Sequence, residues 1–231
     1  KLQSRHACNR LMGCKAEHAL ESCGDTLAPA ILSRLAQPVQ RLNYGSTRAV
    51  RVLGRWGFKD AKPTLESLLT ESRWEMRARA ALALGDLGLT GSLPHLSQAL
   101  HRAREAKDRA TEAACMWAQM QITHATQPGS LLRWSLHQIT APSESELITL
   151  NPGYYAFIAE LIGHAGLSES APTIRWGATH RDRYVRYESI QSLMTLRDKA
   201  GLPFIASRLE DKSPGVRRLA TRVTAALAGL P

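Results

Sequence analysis

Four cysteines, eight histidines and 20 acidic residues are the groups in this 231-residue chain that could ligate a metal, form a covalent bond or move a proton. Cys8, Cys14 and Cys23 lie close together near the start, and His18 follows Cys14 by one helical turn. Such a set could hold zinc, form a disulfide in an oxidising compartment, or stay reduced and partly buried. The Cys-x2-Cys spacing common to zinc sites is absent, which weakens the metal reading. Cys115 stands far from the others. Its repeat column, described below, holds mostly polar types, so it is expected to be accessible or to pair with the N-terminal thiols. No His-Glu-x-x-His, Gly-x-Ser-x-Gly or phosphate-cradling glycine loop is present. The histidines are scattered along the chain. No catalytic residue, metal or cofactor is assigned from these patterns.

Recognition chemistry reads more clearly. Arg133-Trp134 and Arg175-Trp176 are two Arg-Trp pairs, followed at helical distance by His137 and His180. Tryptophan offers a large rigid apolar area and arginine a planar fork of donors, the two types most enriched at the centres of protein interfaces. A lone Trp is as readily a core residue. Two arginines beside two tryptophans cannot all be core, so Arg133, Trp134, His137, Arg175, Trp176 and His180 are taken as a partner-binding set. Asp182 is the only aspartate near an aromatic cluster, Tyr184 and Tyr187.

The elements that must position these groups are helical hairpins. In residues 76–100, Met76, Ala80, Ala81, Ala83, Leu84 and Leu87 fall at helical spacings. Gly85 and Gly88 are read as loosening and ending that helix. A second helix follows, with Ser92 as cap, Pro94 in its first turn and Leu93, Leu96 and Leu100 as its stripe. This pattern recurs. Gly54-x-x-Gly57 and Gly163-x-x-Gly166 share the frame of Gly85-x-x-Gly88, and Ala118, Met194 and Ala225 continue the column, with a 31-residue step recurring three times. Val185-Arg186, Val216-Arg217 and Met76-Arg77 then align, followed by the small residues Ser189, Ala220 and Ala80. A hairpin of this size cannot bury enough apolar surface alone, so units must stack in series.

First helices are expected near 46–57, 74–88, 108–122, 153–165, 183–196 and 214–228, and second helices near 62–70, 92–104, 129–139, 169–178 and 200–210. Residues 140–152 form an insertion that accounts for the one long step. Residues 1–44 do not fit the frame and are expected to be an N-terminal helical cap. One helix would run from Ser4 to Ser22, and another would open with Asp25 or Thr26 as cap and Pro29 in its first turn.

The V-R-x-x-A-A-x-A-L-G pattern of residues 45–231 resembles the HEAT-repeat family, in particular its short bacterial phycobilin-lyase-like subclass. The resemblance implies an all-α, right-handed α-solenoid of about six hairpins, one continuous domain over 45–231. It also implies a ladder of Asp-to-Arg ties between units, in which Asp182 would take part. A small HEAT-like group of DNA glycosylases uses an aspartate beside aromatic rings, and Asp182 is the one residue here with such neighbours. Neither the lyase comparison nor the metal-binding hydroxylases of the family supply residues that map onto this chain.

The formal charge of +10 invites a polyanionic partner. Its distribution argues against a continuous track. Residues 111–170 hold one basic side chain against five acids, between two basic flanks. The expected function is therefore a non-enzymatic interaction module, an adaptor, inhibitor or immunity-like partner, that binds another protein on the face formed by the second helices. Nucleic-acid binding is the alternative, and a glycosylase-like or lyase enzyme the third. No membrane-spanning stretch is expected. The chain begins at Lys1, and a removed signal peptide would place it in the periplasm or outside the cell. Otherwise it would be cytoplasmic.

Overall fold

A computed structural model describes residues 24–36, 44–124 and 152–229. The expected helices near 4–22 and 129–139, the insertion and the side chains of Cys8, Cys14, His18, Cys23, Arg133, Trp134 and His137 lie outside the described residues. Eleven α-helices and short 3-10 turns make up the described chain, with no strand. They are α1 (Ala28–Leu35), α2 (Tyr44–Arg55), α3 (Lys62–Leu68), α4 (Trp74–Leu87), α5 (Leu93–Glu105), α6 (Arg109–Ile122), α7 (Pro152–Ala165), α8 (Ala171–Gly177), α9 (Arg183–Thr195), α10 (Leu202–Ala206) and α11 (Pro214–Ala228). The chain divides into two compact units, Lys1–Leu132 and Arg133–Pro231.

In the first unit α2, α4 and α6 pack side by side, with α3 against α4 and α5 against α6. The second unit repeats this arrangement with α7, α9 and α11 as first helices and α8 and α10 as second helices. A helix with neighbours on both flanks is buried nearly all round. That is why α4 buries Ala78, Arg79, Ala81 and Leu82 as well as Met76, Ala80, Ala83, Leu84 and Leu87. The stripe of α5 differs from the expected one: Leu96, Ala99 and Ala103 are buried, whereas Leu93 and Leu100 are half-buried.

Helix starts follow the sequence signals with one difference. Each of α1, α3, α5, α8 and α10 has proline in its first turn and a 3-10 turn immediately before it. Ser92 stands at the N-cap of α5, yet its side chain makes no capping bond. Leu27 rather than Asp25 or Thr26 is the N-cap of α1, because it is the last residue of the 3-10 turn Gly24–Leu27 that runs directly into the helix. The turn already occupies the place of a side-chain cap.

The paired glycines have two distinct jobs. Gly88 (φ +65°) and Gly166 (φ +64°) end their helices in the left-handed region that suits glycine. Gly85 does not loosen α4. It lies within the helix where α6 comes so close that a Cβ would sit 2.8 Å from the Ala118 Cα and 2.7 Å from the Trp117 ring. Gly163 fills the same role against Ser192.

The column of Cys115 is the main departure from expectation. Arg51, Leu82, Cys115 and Glu160 are all buried, and in α2, α4 and α7 the column lies one turn before the glycine that touches the next first helix of the same unit. Toward the end of the series the column reaches the surface, with Gln191 half-buried and Arg222 exposed. Cys115 is a free, fully buried thiol, and burial first, then the Asp108 charge, push its pKa up to about 12. It is not the accessible cysteine that its column predicts.

Candidate second-helix interface

In α9 and α4 an arginine near the start of the first helix, Arg186 and Arg77, ties one repeat to the next. Arg186 Nη1 donates to the carbonyls of His180 and Arg181 in the loop before its own helix, both at 2.8 Å. Its Nε and Nη2 donate to the two carboxylate oxygens of Asp211 in the following loop, both at 2.7 Å. Arg77 repeats the pattern with the carbonyls of Glu71 and Ser72 and with Asp108. The ladder therefore runs from each arginine forward to an aspartate of the next unit. Asp182 is not part of it. Its Oδ1 accepts the backbone N–H of Tyr184 at 2.8 Å and of Val185 at 3.3 Å, so it caps α9. Tyr187 is buried.

The residue that would reach toward Asp182 from the preceding unit is Tyr155, eight residues before Gly163 as Arg77 is eight before Gly85. Here the ladder is interrupted. The Tyr155 hydroxyl donates to the carbonyl of Thr173 at 2.7 Å, and its ring stacks on His180 with centroids 6.1 Å apart and planes 6° from parallel. Burial pushes the Tyr155 phenol up to about 12, so it stays a neutral donor. His180 Nδ1 accepts the backbone N–H of Asp182 at 3.0 Å. That bond requires an unprotonated Nδ1, and burial lowers the His180 pKa. Gly177 leaves room for this packing, since a Cβ there would lie 2.1 Å from the Ser189 hydroxyl and 2.7 Å from the Tyr155 ring.

Arg175 and Trp176 lie on α8, directly before this stack. Arg175 makes a two-point pair with Asp198, Nε to Oδ2 and Nη2 to Oδ1, both at 2.8 Å. Its pKa is raised by that hydrogen bonding. The fork that would meet a partner is thus committed to the loop before α10. Trp176 has the opposite fate and is 53% exposed. Aligning Pro63, Pro94, Pro172 and Pro203 brings Trp176 into one column with Ser67, Gln98 and Ser207, all exposed. Packing places no demand for an aromatic ring in that column.

The structure thus brings Arg175, Trp176 and His180 to one short stretch of the second unit, with three different roles. Tyr155 and Asp198 were missed as their supports. Tyr155 was findable, because it breaks the arginine column. Asp198 was not, since no periodic signal links it to Arg175. No nucleophile–base pair is formed by these residues, and the described residues hold no group of three side chains placed to bind a metal ion. No described helix is long and apolar enough to cross a membrane.

The family model described as HEAT repeats matches residues 44–115 and 147–226. No curated protein matches the chain in sequence. Among solved structures the chain is similar to human deoxyhypusine hydroxylase in complex with glycerol, at 14% identity and a TM-score of 0.42, over 89% of this chain and 97% of that one. It is similar to the complex of CpcE and CpcF of phycocyanin lyase from Nostoc, at 18% identity and a TM-score of 0.46, over 85% of this chain and 75% of that one. An engineered protein aligns at 16% identity with a TM-score of 0.40, over 86% and 97%.

Proposed function

Because the chain belongs to the HEAT-repeat family, we propose that it is a non-enzymatic module that binds another protein, as an adaptor, inhibitor or immunity-like partner, through the second-helix face of its 152–229 region. The observation that carries this reading is Trp176, an exposed indole in a column otherwise filled by Ser67, Gln98 and Ser207. Desolvating a large ring against a partner is the usual way an interface gains its central affinity. His180 and Arg175 support the reading in a different way. The bond from Asp182 to His180 holds the loop after α8, and the Arg175–Asp198 pair ties α8 to the loop before α10, so the ring is presented from a fixed backbone. The N-terminal thiols and the pair Arg133 and Trp134 remain part of the proposal as sequence readings, the second as an extension of the same face.

The reading is tested by capture from the source cell on immobilised wild-type chain and on Trp176→Ser, which installs the residue found in the same column at 67 and 207. A protein retained by the first and lost from the second supports it. Equal retention of every protein by both, or retention of nucleic acid alone, contradicts it.

A further inference from the structure

The loops that follow α8 and α10 carry the charge around Trp176, and the signs of the groups that project from them differ from the composition. Three of the acids in this region are committed inward. Asp182 accepts backbone N–H groups, Asp198 holds Arg175, and Asp211 holds Arg186. Asp211 is 6% exposed, and the ion pairs at Asp198 and Asp211 have N–O separations of 2.8 Å and 2.7 Å. In the same two loops Arg208 is half-buried against Asp211, whereas Arg181 and Lys212 are exposed, against one exposed acid, Glu210. Arg186 joins the two loops, through the carbonyls of His180 and Arg181 on one side and Asp211 on the other. Arg181, in the loop directly after Trp176 and α8, and Lys212, next to Asp211, thus stand in two loops that one side chain joins.

From this we infer that the partner segment received by the Trp176 face is an acidic peptide with one apolar or aromatic anchor, its carboxylates meeting Arg181 and Lys212. The inference rests on the protein-binding reading above and names the chemistry of the occupant. A basic edge raises the rate of encounter with an acidic segment and rejects a basic one, while the ring, once covered by the partner, supplies the lasting contact. A nucleic-acid strand fits less well. Strand binding uses successive stacking rings along a continuous basic groove. Among the described residues Trp176 is the one exposed indole, Arg175 beside it is neutralised by Asp198, and Arg181 and Lys212 lie in the loops and not along the helix.

The test is selection of displayed random peptides of about 15 residues on the full chain, with counter-selection on Trp176→Ser. The expected result is an enriched set with an excess of Asp and Glu and one large apolar residue. Affinity of the selected peptide should fall about tenfold or more in Arg181→Glu/Lys212→Glu, and weaken as salt rises. Peptides that depend on Trp176 but are neutral or basic would overturn the acidic class and leave the protein-binding face standing. A failure to enrich any Trp176-dependent peptide would overturn both. Tighter Trp176-dependent binding of a labelled thymidine oligonucleotide of about 15 nucleotides than of the best peptide would assign the face to nucleic acid instead.

Discussion

Arg186 and Asp211 are joined at two points across successive units, each at 2.7 Å, with the arginine also bonded to both carbonyls of the loop before its own helix. Each of its three guanidinium nitrogens donates, and Asp211 in addition accepts the Ser213 N–H at 2.8 Å. Burial acts to raise the Asp211 pKa, but the bonds from Arg186 and Ser213 and the nearby cations outweigh it, and the carboxyl is held below its usual range. Removing one partner of such a buried pair leaves the other charge uncompensated. Arg186→Met is expected to cost about 3–5 kcal/mol in a urea unfolding curve, and Arg186→Met/Asp211→Leu to recover part of that loss. A single variant as stable as the wild type would show that the ladder does not hold the units together.

Gly85 provides a test of the stacking itself. In an exposed helix, Gly→Ala stabilises by about 1 kcal/mol, because alanine loses less backbone freedom on folding. Gly85→Ala is expected to do the reverse by about 1–3 kcal/mol, since the new Cβ meets the Ala118 Cα and the Trp117 ring below 3 Å. Gly91→Ala is the control, as its nearest contact is the far end of Lys62 at 3.6 Å. Thermal melts of the two variants separate close packing from helix propensity.

These examples mark how far the chain could be read before its structure was known. The positions of α4, α6, α7, α9 and α11 followed from spacing alone, because periodic small and apolar residues leave few alternatives for a stacked helix. What escaped was information carried by the neighbouring unit. Gly85 resembles a helix breaker until α6 is placed against it. Arg51 and Glu160 resemble surface residues until the next first helix is placed against the glycine one turn beyond them. Asp182 has the right spacing for the ladder, but its partner column holds Tyr155. At the site, the Arg-Trp pair was legible and its division of labour was not: the ion pair to Asp198 takes Arg175 out of the surface and leaves Trp176 on it.

The His180 stack predicts a pH dependence of definite sign. Burial lowers the folded-state pKa of His180 below its unfolded value, so the unfolded chain binds more protons in the window beneath about 6.5. Stability from this group is fully present above that window and is lost as pH falls through it. Urea midpoints at pH 7.5 and pH 5.5 should therefore differ more for the wild type than for His180→Gln, as order-of-magnitude linkage requires. Identical slopes would remove the neutral imidazole from the account.

Cys115 should be chemically silent in the folded chain. Only the thiolate attacks alkylating reagents, and a thiol pushed up to about 12 inside the stack is almost wholly protonated and sheltered. Peptide mapping after iodoacetamide treatment is expected to find Cys115 unmodified under native conditions and fully modified in denaturant. Native labelling would mean that α6 opens away from its neighbours.

The central claim, that Trp176 is exposed for a partner and not for packing, is tested most directly by one pair of measurements on Trp176→Ser. Affinity for the captured partner and melting temperature are determined for the same preparation. The account predicts a loss of about 1–4 kcal/mol in binding, with a melting temperature within about 2 °C of the wild type. A fall in stability of about 3–5 kcal/mol with unchanged affinity would place the ring in the core and contradict it.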